Sequence, residues 1–200
     1  EFRLPGQPSA GPALTENTVL IPLQGGAMYA YSIGVLEYLY RYGTLPEDVA
    51  VPHLFRFICG EEIIYPPVIG EEAFAFVSEA GNMYTVNTGG IEKGRARYQL
   101  LFGTPASAPL AITDNATSSS VLMLTDDNIA FSVDLITGAT EWTYPLGRPM
   151  TQAPVTVGDN VYVVTEDGTL TDISRDAFDG RPVEIPQYRA PMYIGAGMEE

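Results

Sequence analysis

One pattern recurs along this chain and limits what it can become: a strand, a tight turn and a second strand. Its clearest copy lies in residues 153–174, APVTVGDNVYVVTEDGTLTDIS, where 161–165 and 169–174 read as strands about the turn Glu166-Asp167-Gly168. Residues 12–32 and 67–87 align with 154–174 without a gap. Residues 121–134 carry a further copy, with about five extra residues in its lead-in from Pro109. The matching turn position holds Gly26, Gly81, Asn128 and Gly168. These residue types tolerate the positive φ that a hairpin turn of this kind requires. A strand-rich unit repeating every 40–55 residues points to a β-propeller.

The hairpin strands are nearly continuous apolar runs, as in 19–21, 74–77, 121–124 and 161–164. Strands buried on both faces have this composition, and a blade buries both faces only against neighbouring blades. The expected fold class is therefore all-β: a propeller of four-stranded antiparallel blades. About four blades are expected, in units of about 12–66, 67–108, 109–153 and 154–200, making a partial propeller or half of an eight-bladed one. The third strand of successive blades is expected at 35–43, 97–103 and 140–147, with Tyr38, Tyr98 and Trp142 at one shared aromatic position. Residues 45–61 have no counterpart elsewhere. They hold His53 and Cys59, and 55–58 has the composition of an outer strand. Long connections are often functional, which makes this insertion a candidate contact loop. Residues 192–197 are expected to open a fifth unit, and 1–11 to be the tail of a preceding blade in a processed chain.

Charge narrows the partners. The formal net charge is −15, from 25 acidic and 10 basic residues. Phosphate backbones and anionic membrane surfaces bind basic patches, so neither nucleic acid nor such a membrane is expected as a partner. The acidity reads chiefly as solubility, and otherwise as a surface for cations or basic partners. Cys59 is the only cysteine, so no disulfide forms within the chain. No apolar run approaches the length of a membrane span.

At residues 132–142 the chain reads SVDLITGATEW. This resembles the tryptophan-docking motif of the pyrroloquinoline-quinone-type propellers, with Asp134, Thr137, Gly138 and Trp142 matching and Ser132 in place of the usual Ala. The resemblance implies a structural docking motif: Asp and Thr hydrogen-bond across the turn, Gly allows it, and Trp buries a large area against the next blade. The full motif occurs once. Similar repeats are found in quinoprotein dehydrogenases, in the propeller subunit of the outer-membrane barrel-assembly machine and in bacterial sensor domains. The resemblance implies a bacterial, extracytoplasmic setting. The dehydrogenases hold quinone and Ca²⁺, many with a disulfide of adjacent cysteines. A single cysteine cannot make that disulfide, and no set of quinone ligands carries over, so no cofactor is expected.

The remaining polar features have plain readings. Asp126-Asp127-Asn128 lacks the spaced ligands of a calcium loop and reads as a turn. His53 reads as a loop residue and Cys59 as a buried thiol. Glu61-Glu62 and Glu71-Glu72 read as solvated turns, because catalytic carboxylates face each other across a cleft. Asn115-Ala116-Thr117 fits a glycosylation sequon in a loop. The expected function is a non-enzymatic scaffold for protein partners, with self-association or a missing half completing the ring. The alternatives are a divergent quinone-dependent dehydrogenase and a ligand-sensing propeller.

Overall fold

The hairpin copies become the two central strands of four sheets in a computed structural model of the chain, which describes residues 3–43, 50–114, 119–150, 152–157, 160–174 and 192–193. Blade 1 consists of β1 (Ala13–Leu14), β2 (Thr18–Leu23), β3 (Ala27–Ser32) and, after helix α1 (Ile33–Tyr42), β4 (Phe55–Ile58). Blade 2 consists of β5 (Val68–Ile69), β6 (Ala73–Val77), β7 (Asn82–Asn87) and β8 (Ala96–Leu101). Blade 3 consists of β9 (Ala111–Asp114), β10 (Ser119–Leu124), β11 (Ile129–Asp134) and β12 (Thr140–Pro145). Blade 4 consists of β13 (Val155–Val157), β14 (Asn160–Val164), β15 (Thr169–Ser174) and β16 (Met192–Tyr193). Every sheet is an antiparallel meander in chain order. The first strands β1, β5, β9 and β13 lie side by side, so the blades form an arc about a common axis. The arc holds about four blades and does not close.

The four hairpins share one register. Thr18 pairs with Ser32, Ala73 with Asn87, Ser120 with Asp134 and Asn160 with Ser174. The shared turn position has positive φ in all four: Gly26 73°, Gly81 78°, Asn128 64° and Gly168 79°. In each turn the residue at one matched position gives its backbone N–H to the lead-in of its own blade: Gln24 to Gln7, Glu79 to Glu62, Asp126 to Pro105 and Glu166 to Pro149.

Packing follows the alternation of a strand. On blade 1, Leu20, Met28 and Ala30 face blade 2 and meet its Phe74, Phe76, Tyr84 and Val86. The opposite face of blade 2 (Ala73, Ala75, Val77, Met83) meets Val121, Met123 and Val133 of blade 3. Leu122, Leu124 and Ala130 of blade 3 meet Val161, Val163 and Ile173 of blade 4. Phe74 and Phe76 are fully buried, each contributing about 1.5–3 kcal/mol by the apolar area removed from water.

Two expectations fail here. Residues 35–43 are not a third strand. They fall in α1, whose N-cap Ser32 Oγ accepts from Val35 N at 3.4 Å and whose end is closed by Gly43, φ 38°, donating to Leu39 O. The alternating tyrosines mislead because Tyr38 and Tyr42 are also a helical i, i+4 pair, with rings 5.1 Å apart. The strand beside β3 is 55–58 instead, so the outer-strand reading of that stretch holds. Residues 192–193 open no fifth unit: Met192 pairs with Leu170, and Tyr193 with Thr169, at the edge of blade 4.

Candidate functional site

A cleft of about 390 Å³ opens between blades 1 and 2. The turn from β1 to β2 supplies Thr15, Glu16 and Asn17, the turn from β5 to β6 supplies Gly70 and Glu71, and Thr88 follows β7. The half-buried ring of Phe55 gives the walls apolar surface, and the buried Leu20 borders the cleft. Hydrogen bonds set both turns. Thr15 Oγ1 accepts from Thr18 N at 2.9 Å and Asn17 N at 3.2 Å. Thr88 N donates to Glu72 O at 3.0 Å, and Thr88 Oγ1 donates to Glu71 O at 3.4 Å. Glu16 and Glu71 are exposed, and neither carboxylate pairs with a cation among the described residues. Their neighbour Glu72 is tied to Arg97 at 3.4 Å.

At the hairpin-turn end of the same two blades, the acidic pair 61–62 is not a solvated turn. Glu61 is half-buried and binds Ser78 Oγ at 2.5 Å and Asn82 Nδ2 at 2.8 Å. These donors hold its carboxyl below the usual carboxylate range. Glu62 Oε2 accepts from Gly25 N at 2.9 Å. Gly26 lies so close to the Glu61 backbone that a Cβ there would collide with it, so the bare glycine admits the acidic pair to the junction between blades. Cys59 donates its thiol to the carbonyls of Gly26 and Glu61 at 3.2 Å. Burial pushes its pKa up, so the group stays a thiol. The partners of Glu61 were invisible in the sequence, although Ser78 and Asn82 flank the hairpin turn that the repeat located.

Asp134 Oδ1 accepts from Thr137 N at 2.6 Å, Thr137 Oγ1 at 2.7 Å and Ile136 N at 3.1 Å. Gly138 has φ 75°, and a Cβ there would lie 3.1 Å from the Tyr98 ring of blade 2. Tyr98 Oη donates towards Asp134 O and Leu135 O at 3.0 and 3.1 Å. Trp142 is buried in the cluster between blades 3 and 4. Register fixes its counterparts: Trp142 pairs with Ser132, Tyr98 with Thr85 and Phe55 with Ala30. Phe55, not Tyr38, therefore fills the aromatic position of blade 1, and it packs against Gly94 of blade 2 as Tyr98 packs against Gly138. Tyr38 is 62% exposed on α1.

His53 is exposed and meets the Tyr29 ring edge-on at 5.3 Å. Val51, in the same insertion, is buried. Residues 44–49 and the sequon at 115–117 lie outside the described residues. At the blade 3 turn, Asp127 Oδ1 accepts from Thr125 Oγ1 at 2.5 Å. The equivalent bond from Thr165 to Asp167 is 2.6 Å in blade 4, so these aspartates are turn residues. Among the described residues no three His, Cys, Asp or Glu side chains converge to hold a metal ion. No described helix is long and apolar enough to cross a membrane.

This architecture is that of a β-propeller blade array. Solved structures similar to it include BamB from Moraxella catarrhalis, with TM-score 0.66, 16% identity, 88% of this chain and 49% of that chain covered. The Neurospora crassa Pan2 WD40 domain matches with TM-score 0.57, 12% identity, 94% of this chain and 50% of that one. BBS1N, solved in complex with ARL6DN, matches with TM-score 0.63, 10% identity, 96% of this chain and 54% of that one. The chain thus spans about half the length of these propellers. No family model and no curated protein matches the sequence.

Proposed function

We propose that this array is a non-enzymatic scaffold for protein partners and that the cleft between blades 1 and 2 receives basic side chains of an extended segment. The observation that carries this reading is the cleft lining. Two exposed carboxylates, Glu16 and Glu71, share this lining with the half-buried ring of Phe55. The aliphatic stem of Lys or Arg fits such apolar surface while its charged head meets the carboxylates. The net charge of −15 draws basic segments towards the surface and speeds encounter. BBS1N, a structure of the same fold, is solved with a bound protein. In this reading Asp134, Thr137, Gly138 and Trp142 dock one blade on the next and touch no ligand. The bacterial, extracytoplasmic setting rests on the resemblance at residues 132–142.

Fluorescence anisotropy with labelled Lys/Arg-containing peptides, each paired with its Gln-substituted version, tests the cleft. Basic peptides are expected to bind more weakly as salt rises. Glu16→Gln with Glu71→Gln is expected to lower affinity about tenfold, the order expected for two exposed charge contacts. Equal binding of basic and Gln peptides, or an unchanged affinity in the double variant, overturns the reading.

A further inference from the structure

A cation already stands beside the cleft between blades 1 and 2. Lys93 is the only lysine in the sequence. Its Nζ lies 5.9 Å from the centroid of Phe55, whose half-buried ring lines the cleft. A lysine at that distance over an aromatic face is attracted by the ring quadrupole. The backbone brings it there. Thr88, another lining residue, donates its N–H to Glu72 O at 3.0 Å, and Gly94 N donates to Asn87 O at 2.9 Å, which closes the loop between them. Gly94 has φ 79° and lies so close to Phe55 that a Cβ would stand 2.7 Å from the ring. Lys93 is thus held next to Phe55 by its own neighbour, while its side chain stays exposed. It opens the run KGRAR (93–97), which holds three of the chain's 10 basic residues. Arg95 and Arg97 meet the acids Glu92 and Glu72, and Lys93 meets the ring.

We propose that Lys93 is an internal competitor for this cleft. In the free protein its ammonium occupies the Phe55 ring, and a basic side chain entering the cleft displaces it. The inference rests on the reading of the cleft as a site for basic segments and adds how that site is regulated. Two cations on one ring repel each other, so the incoming group and Lys93 do not share it. The short loop keeps Lys93 at high effective concentration beside the ring. An exposed cation–π contact is weak, however, so a segment that also engages the carboxylates of Glu16 and Glu71 overcomes it. A lone cation that reaches the ring and neither carboxylate gains nothing over Lys93.

Because the chain has one lysine, reductive methylation with ¹³C-formaldehyde places one charged dimethylamine reporter on a side chain, assigned by its loss in Lys93→Gln. Its NMR signal is expected upfield of the position it takes in the urea-unfolded chain, from the ring current of Phe55. It is expected to return towards that position as a Lys/Arg-containing peptide is added. Fluorescence anisotropy gives the second readout. Lys93→Gln is expected to bind the peptide about two- to fivefold more tightly, the size of an exposed cation–π contact, and Lys93→Arg to bind as the parent does. A methyl signal with no upfield shift overturns the inference. So does a peptide that binds while the shifted signal stays in place, or a Lys93→Gln variant with the parent's affinity; in both cases the reading of the cleft stands. A peptide that binds neither the parent nor Lys93→Gln overturns the reading of the cleft, and this inference with it.

Discussion

At the scale of single residues, one carboxylate ties the lead-in of blade 2 to the hairpin turn of that blade, beside the apolar junction with blade 1. Glu61 takes two bonds from Asn82 and one from Ser78, and these donors favour its charged form. Its folded pKa lies below the unfolded one. Its contribution to stability is therefore complete above the unfolded carboxyl value of about 4.3 and is lost as pH falls through the depressed folded pKa. Ser78→Ala removes the nearest donor, and the carboxyl pKa is expected to rise. Denaturation at neutral pH should show the variant less stable by about 1–2 kcal/mol, as for a hydrogen bond to a charged group. The difference should shrink in acid below the folded pKa. An equal gap at both pH values would mean that the hydroxyl acts through packing alone.

At the scale of elements, α1 shows how an insertion is accommodated without disturbing the repeat. Ser32 occupies the register position that Asn87 and Asp134 hold in blades 2 and 3, and each begins the excursion from β-strand to outer strand. In blade 3 the side chain caps a short turn; in blade 1 it caps a helix of 10 residues. No residue of α1 is buried, so the helix is held chiefly by Leu36 and Leu39 on blade 1. Leu39→Asp places a charge against Val19 and Tyr31 and should release α1 while β2 and β3 stay paired. Hydrogen exchange is the measurement: faster exchange confined to 33–42 is expected, and uniform acceleration through blade 1 would show that the helix supports the sheet itself.

At the scale of the whole molecule, 25 acidic against 10 basic residues set a self-repulsion that opposes the folded state. Few ion pairs offset it among the described residues: Glu92 with Arg95, Glu72 with Arg97 and Asp167 with Arg148. Raising NaCl should therefore raise the urea midpoint, since exposed charges beyond about 8–10 Å are screened at physiological salt. A midpoint that falls with salt would mean that the few pairs outweigh the net charge. Because the blades touch in sequence, each junction depends on its neighbours.

The sequence determined the hairpin. Its turn residues, its apolar runs and its 21-residue alignments depend on local φ and on strand alternation, and both act over a few neighbouring residues. The four positive-φ turns, the strands that follow the hairpins in blades 2 and 3 and the number of blades were legible for that reason. Tertiary structure decided what lies between the hairpins. Residues 35–43 favour a strand by their alternating aromatics and allow a helix by their length, and the β3 edge they were expected to fill is taken by 55–58. Glu61 reads as a turn residue until Ser78 and Asn82 come within 2.8 Å of it, from 17 and 21 residues along the chain. The cleft arises in the same way. It is made by blades meeting face to face, and spacing within one blade carries no record of what its neighbour presents.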